Sequence, residues 1–168
     1  LVGVNGALAS NYNWTTASSS VSVTPRTLTV TGANNTVTYN GAAQTNTGAT
    51  IAGNQGSDSF SISGYGSGTN ASTTAYADSL SLTGTGNTLL SNYSITYNNG
   101  GLTIGKANLT ATGSKVYDAG TAFAGTNFSS ITGVNNETFT ATGSGTLTSP
   151  NVQSAQTLQS LGTLSLVG

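Results

Sequence analysis

The ionisable side chains available for chemistry are few. The 168-residue sequence has three cations, Arg26, Lys106 and Lys115, and four acids, Asp58, Asp78, Asp118 and Glu137, with no His and no Cys. Ser–His and Cys–His arrangements are therefore excluded. A Ser–Lys dyad would have to recruit Lys106 or Lys115. Both stand beside segments that read as strands, where a solvated lysine is the simpler reading. Glycoside cleavage needs two carboxyl groups about 5–9 Å apart across a bond, and nothing in the scatter of these four acids suggests convergence. Calcium in an extracellular module asks for several oxygen ligands, usually from clustered acids, and no such cluster is present. An intramolecular Lys–Asn cross-link built on Lys115 near Glu137 has no diagnostic spacing behind it. The residue types point to no enzyme, no cofactor and no metal.

The same scarcity limits partners. Charged residues are 4% of the chain, against about 25% in ordinary globular domains. A net charge of −1 leaves no basic stripe to neutralise phosphates, so no nucleic acid is expected. Anionic membrane surfaces are excluded on the same ground. No apolar run approaches the about 20 residues of a membrane-spanning helix, and the chain reads as not membrane-inserted. Disorder in a chain of low hydrophobicity usually goes with high charge. Here charge is nearly absent and the apolar residues are patterned, so a folded chain is expected.

That pattern is alternation. Residues 27–31 (TLTVT), 60–62 (FSI), 80–82 (LSL), 102–104 (LTI), 108–112 (NLTAT) and 164–167 (LSLV) place apolar residues two apart with Ser, Thr or Asn around them. A period of two buries one strand face and wets the other. Asn40-Gly41 and Asn98-Asn99-Gly100-Gly101 supply hairpin-turn chemistry. The best candidate for a helix is 119–130, which its glycines weaken. The fold class expected is all-β or mostly β, with at most one short helix per repeat.

The sequence repeats itself. SNYNWTTASSSVSVTPRTLTVTG at 10–32 aligns without a gap to SNYSITYNNGGLTIGKANLTATG at 91–113, and LSLTG at 80–84 returns as LSLVG at 164–168. Gly3, Gly84 and Gly168 mark a period of about 80 residues, too long for solenoid coils of about 20–30. The repeat divides the chain into 1–25, the C-terminal part of one unit; 26–105, a complete unit; and 106–168, the N-terminal part of the next. The joints, Pro25-Arg26 and Gly105-Lys106-Ala107, are too short to act as flexible tethers, so successive units should be coupled end to end. Parity and repeat position put Tyr12, Val21, Val23, Leu28, Val30, Tyr39, Leu80, Leu82, Tyr93, Ile95, Leu102, Ile104, Leu109, Tyr117 and Leu164 in the core. Trp14 stands where the other copy has Ile95, which favours an apolar slot over a sugar platform. Tyr39-Asn40-Gly41 and Tyr117-Asp118 read as an aromatic anchor followed by a turn residue. Residues 1–25 are expected to complete the sheet that 106–168 begins in an adjacent copy.

Several of these stretches carry a family resemblance. RTLTVTG, TVTYNGAAQT, SISGYGSG and SNYSITYNNGGLTIGKA within 26–105 resemble the MBG (mostly β-grasp) repeat of large bacterial surface proteins. ANLTATGSKVYDAGTAFAG and NNETFTATGSGTLTSPNVQSA resemble the companion YDG repeat, with its signature run interrupted here as Tyr117-Asp118-Ala119-Gly120. The resemblance implies β-grasp-like units in tandem within secreted or cell-surface adhesins of the filamentous-haemagglutinin-like type, with no shared catalytic residues. The function expected is a structural module of an extracellular stalk, fibre or biofilm filament, with adjacent copies as partners. The alternative is a module whose exposed Thr/Ser/Asn faces bind glycans or a host surface.

Overall fold

A computed structural model describes residues 6–13, 15–16 and 19–168. The chain is mostly β, 42% strand against 8% helical, well above the strand content of about 20–25% in ordinary domains. Among the described residues no helix reaches seven residues, and Ala9–Asn11, Leu90–Asn92, Gly125–Asn127 and Val134–Asn136 are three-residue 3-10 turns. The candidate helix at 119–130 is instead strand, 3-10 turn and strand. Gly120 and Gly125 break helical propagation there, while Phe123 turns inward from an extended segment.

Residues 26–105 form ten strands: β1 (Arg26–Thr31), β2 (Asn34–Thr38), β3 (Gln44–Thr45), β4 (Thr50–Ala52), β5 (Ser59–Ser63), β6 (Ser67–Gly68), β7 (Tyr76–Ala77), β8 (Ser81–Thr85), β9 (Tyr93–Asn98) and β10 (Gly101–Gly105). Alternation in β1 points Leu28 and Val30 inward, and both are fully buried. β1 pairs antiparallel with β4, Val30 opposite Ile51, and parallel with β9, Leu28 opposite Ile95. β10 pairs parallel with β2, Ile104 opposite Val37. Parallel partners cannot be joined by a hairpin, so the intervening strands must cross over before β9 and β10 close the assembly. β5 and β8 form an antiparallel pair, Ile62 opposite Leu82. Leu28, Val30, Leu80, Leu82 and Tyr93 make the core, with Ile51, Phe60, Ile62 and Ile95 packed against it. The turn between β9 and β10 requires glycine: a Cβ on Gly100 would lie 2.2 Å from the Ala33 carbonyl oxygen.

Residues 106–168 form seven: β11 (Thr110–Gly113), β12 (Ala122–Ala124), β13 (Phe128–Thr132), β14 (Thr140–Thr142), β15 (Ser144–Leu147), β16 (Leu158–Ser160) and β17 (Ser165–Val167). β11 pairs antiparallel with β13, Ala111 opposite Ile131. β14 pairs with β17, Ala141 opposite Leu166, and β12, β15 and β16 make a three-stranded sheet. Phe123, Ile131, Ala141 and Leu147 are buried, with Phe128 edge-on to Phe123. Among the described residues β11 pairs with β13 alone, whereas β1 pairs with two strands.

The residues expected in the core divide along this line. Leu28, Val30, Leu80, Leu82, Tyr93, Leu102 and Ile104 are buried, and Tyr39, Ile95 and Leu164 are half-buried. Tyr12, Val21, Val23, Leu109 and Tyr117 are exposed instead. For Tyr12, Val21 and Val23 the reason is that no described residue before Arg26 belongs to a strand. Leu109 and Tyr117 lie just outside β11, and among the described residues β11 pairs with β13 alone. Trp14 lies outside the described residues.

Turns form at Asn40 and Asp118, but neither expected hairpin does: β2 and β3, on either side of Asn40-Gly41, do not pair, and β9 pairs with β1 while β10 pairs with β2 and β7. Asn40 Oδ1 accepts from the Ala42 N–H at 3.0 Å, and Asp118 Oδ1 accepts from the Gly120 N–H at 2.9 Å. The residue after each is left-handed: Gly41 at φ +76° and Ala119 at φ +63°. Glycine tolerates that region at no steric cost and alanine does not. Ala119→Gly should therefore raise stability by about 0.5–1 kcal/mol, read as a higher urea midpoint for 106–168. A lower midpoint would mean that the turn is not held in this conformation.

Candidate functional site

The charged groups are structural pins. Asp78, 5% exposed, is held in the middle of 26–105. The Asn46 side-chain amide donates to both of its carboxylate oxygens at 2.9 Å, the Gly66 N–H donates at 2.8 Å and the Gly100 N–H at 3.2 Å. Asn46, itself 1% exposed, also donates to the Ala33 carbonyl and accepts from Asn35. One carboxylate thus ties the residue after β3, the residue before β6 and the β9–β10 turn together. A buried carboxylate satisfied by N–H donors keeps its charge without a cation. The sequence reading treated Asp78 as one scattered acid among four. The only signal was an Asp two residues before the alternating Leu80–Leu82 run in a chain that otherwise avoids charge.

Asp58 accepts from the Tyr93 hydroxyl at 2.5 Å, while that hydroxyl accepts from the Gln55 N–H at 3.2 Å. Tyr93 also stacks edge-on with Phe60 at 5.4 Å, which makes it a core brace and removes its ring face from any sugar. Lys115 is not the solvated lysine expected. Its side chain is 12% exposed, bridges to Asp118 at 2.6 Å and donates to the Gly120 and Ala122 carbonyls at 2.9 and 2.8 Å. Arg26 donates through Nε to the Gly53 carbonyl at 2.9 Å. Lys106 is exposed. Among the described residues no three His, Cys, Asp or Glu side chains converge as metal ligands.

The remaining acid joins the two halves. Glu137 Oε1 accepts from the Tyr39 hydroxyl at 2.6 Å, and Asn135 Nδ2 donates to the Asn40 carbonyl at 3.2 Å. The hydrogen bond to Glu137 raises the Tyr39 phenol above its usual value of 10.0, helped by desolvation and by the carboxylate's charge. Tyr93 is raised in the same way, chiefly by its bond to Asp58. A phenol whose proton is held more tightly in the fold contributes fully below pH 10, and that contribution is lost as pH rises through the raised value. The Tyr39 ring should therefore titrate above pH 10 by carbon NMR and fall back towards 10 in Glu137→Gln. An unmoved titration would mean that the junction bond does not form in solution. Asp118 has the opposite sign. Its bonds from Lys115 and the Gly120 N–H hold its carboxyl below 3.8, so its contribution stands above that value and is lost as acid passes the lowered one.

Beyond the pins lies one large concavity, about 1240 Å³, open along 106–168. Leu109, Ala111, Phe123, Ile131, Leu164 and Leu166 line it, beside Thr, Ser, Asn and Gln side chains of 112–114 and 151–157. Leu109 and Leu166 remain 38% and 49% exposed there. Lys115, at one end, is already paired to Asp118. This surface has apolar shape and backbone edges to offer, without convergent polar groups for chemistry. No protein-family model, no curated protein and no solved structure matches the chain.

Proposed function

We propose that this chain is a structural repeat module from the stalk or fibre of an extracellular bacterial adhesin, built from β-grasp-like units set end to end. The observation that supports the reading is that Val30 and Ala111, and Leu82 and Leu166, which the sequence repeat aligns, all lie in antiparallel strand pairs. Val30 faces Ile51 as Ala111 faces Ile131. Ile62 faces Leu82 as Ala141 faces Leu166. Gly64 and Gly143, which follow β5 and β14, sit at φ +82° and +79°. The short joint and the Tyr39–Glu137 bond support stiff coupling between neighbours, as in other repeat arrays. Every charge but Lys106 is spent on holding turns and joints, which suits length-building rather than turnover.

Continuous arrays of increasing copy number test this by small-angle scattering. The maximum dimension should grow by a constant increment per copy with a rod-like profile. A compact or freely jointed profile would overturn it. Saturable, sugar-selective binding on a glycan array would instead favour the alternative of a recognition module on the exposed Thr/Ser/Asn faces.

A further inference from the structure

We propose that Asn40-Gly41 is a self-modification site: Asn40 deamidates in the folded chain, and its conversion to isoaspartate loosens the junction between 26–105 and 106–168. An asparagine followed by glycine is open to attack by the next backbone nitrogen, because glycine has no side chain to obstruct the approach. Asn-Gly occurs at 5–6, 40–41 and 99–100. Asn5 lies outside the described residues, and the fold treats the other two pairs differently. Asn40 is exposed, so water reaches it. Its Oδ1 accepts from the Ala42 N–H at 3.0 Å, which polarises the side-chain carbonyl and sets a donor where charge develops during attack. Among the described residues the Gly41 N–H meets no hydrogen-bond acceptor, so the nucleophile is free. Asn99 is tied on both sides instead. Its Oδ1 accepts from the Leu80 N–H at 3.1 Å, and the Gly100 N–H donates to the buried Asp78 carboxylate at 3.2 Å. Turning that nitrogen onto the Asn99 side chain would break both bonds, one of them to a buried charge.

The Gly41 nitrogen gives its proton to water and attacks the Asn40 side-chain carbonyl carbon. A new C–N bond closes a succinimide ring, the bond from that carbon to Nδ2 breaks, and the amide leaves as ammonia. Water then opens the ring. Attack at the side-chain carbonyl gives aspartate, and attack at the main-chain carbonyl gives isoaspartate. One water is consumed and one ammonia released, with no oxidant or reductant. The isoaspartyl product changes the junction directly. Its main chain runs through the former side chain and is one methylene longer. The Asn40 carbonyl that accepts from Asn135 Nδ2 leaves the backbone as a carboxylate, and the Oδ1 that caps Ala42 becomes the main-chain carbonyl oxygen. The adjacent Tyr39 is held at both ends, its N–H by the Gly105 carbonyl and its hydroxyl by Glu137. A longer backbone at residue 40 therefore shifts the one residue that links the end of β10 to the second segment.

Ageing the full chain at mildly alkaline pH, with peptide mapping that separates isoaspartate from aspartate at each Asn-Gly pair, tests the site. Asn40 should convert about tenfold or more faster than Asn99 in the folded chain. The two rates should converge in concentrated urea, where both pairs are released from the fold. Equal rates in the folded chain, or an Asn40 that reacts only in urea, would overturn the proposal. The aged chain separates from its parent by ion exchange, because a net charge of −1 gains one further negative charge. Brief trypsin treatment then reads the junction, since cleavage reports local opening. Lys106 is exposed beside the junction. Cutting after it should be several-fold faster in the isoaspartyl form than in the parent, as it should be in Glu137→Ala. Asn40→Asp keeps the backbone length and an acceptor for Ala42, and should be cut at the parent's rate. An isoaspartyl form cut no faster than the parent, or an Asn40→Asp chain cut as fast as the isoaspartyl form, would overturn the release of the junction by the altered linkage.

Discussion

Asp78→Ala is expected to be the most damaging single substitution in the chain, costing about 3–5 kcal/mol. The change removes the shared acceptor of the Asn46 amide and the Gly66 and Gly100 N–H groups. Each buried donor left without a partner costs about 1–3 kcal/mol. A segment the size of 26–105 is worth about 4–12 kcal/mol in total, so the loss is a large share of its stability. Urea unfolding followed by circular dichroism gives the measurement, with Asp118→Ala as the comparison. The Asp118 side chain is 61% exposed in its pair with Lys115, so solvent screens the carboxylate and its contribution is small. Equal shifts in the two variants would mean that the Asp78 carboxylate is not the keystone described.

Ile104→Ala and Val23→Ala probe one repeat position in two environments, and the expected effects differ sharply. Ile104 is fully buried opposite Val37, and truncating it should cost about 2–5 kcal/mol through lost transfer energy and the cavity left behind. Val23, its counterpart, is 94% exposed. In the monomer its truncation should fall within about 0.5 kcal/mol of the parent. Thermal melts of dilute protein would separate the two. A large effect at Val23 under monomeric conditions would show that residues 19–25 pack against their own chain.

Strand parity was the most readable feature of this sequence. Thr-Leu-Thr-Val-Thr fixed which face of β1 is buried, and the LSL run at 80–82 foretold the buried Leu80 and Leu82, whereas β11 and β17, which alternate as clearly, are exposed at every residue. Turn chemistry was equally local: Asn40 and Asp118 each cap their own backbone two residues on. What the pattern could not carry was coverage. Val21 and Val23 alternate as cleanly as Leu102 and Ile104, yet parity says only which side would be buried if a partner sheet were present. The polar pins were hidden for a related reason. Asp78 and Asn46 are far apart in sequence, and neither sits in a motif that announces a buried acceptor. Lys115 misled because a lone lysine near a strand is ordinarily solvated, whereas here two carbonyls and Asp118 fold back around it.

The parallel pairing of β1 with β9 also sets the order in which this protein acquires its shape. β1 is the first strand of its segment and β9 nearly the last, so the core strand carrying Leu28 and Val30 waits on nearly the whole segment before its second edge is filled. Contacts of such long sequence separation bear the loop-closure cost before they return any stabilisation, and chains dominated by them fold slowly. Until residues 93–105 are in place, β1 keeps one open edge. A chain emerging N-terminus first from a ribosome or a narrow export channel would therefore stay threadable until its closing strands appear. Folding of 26–105 would then be completed only by the arrival of its own far end.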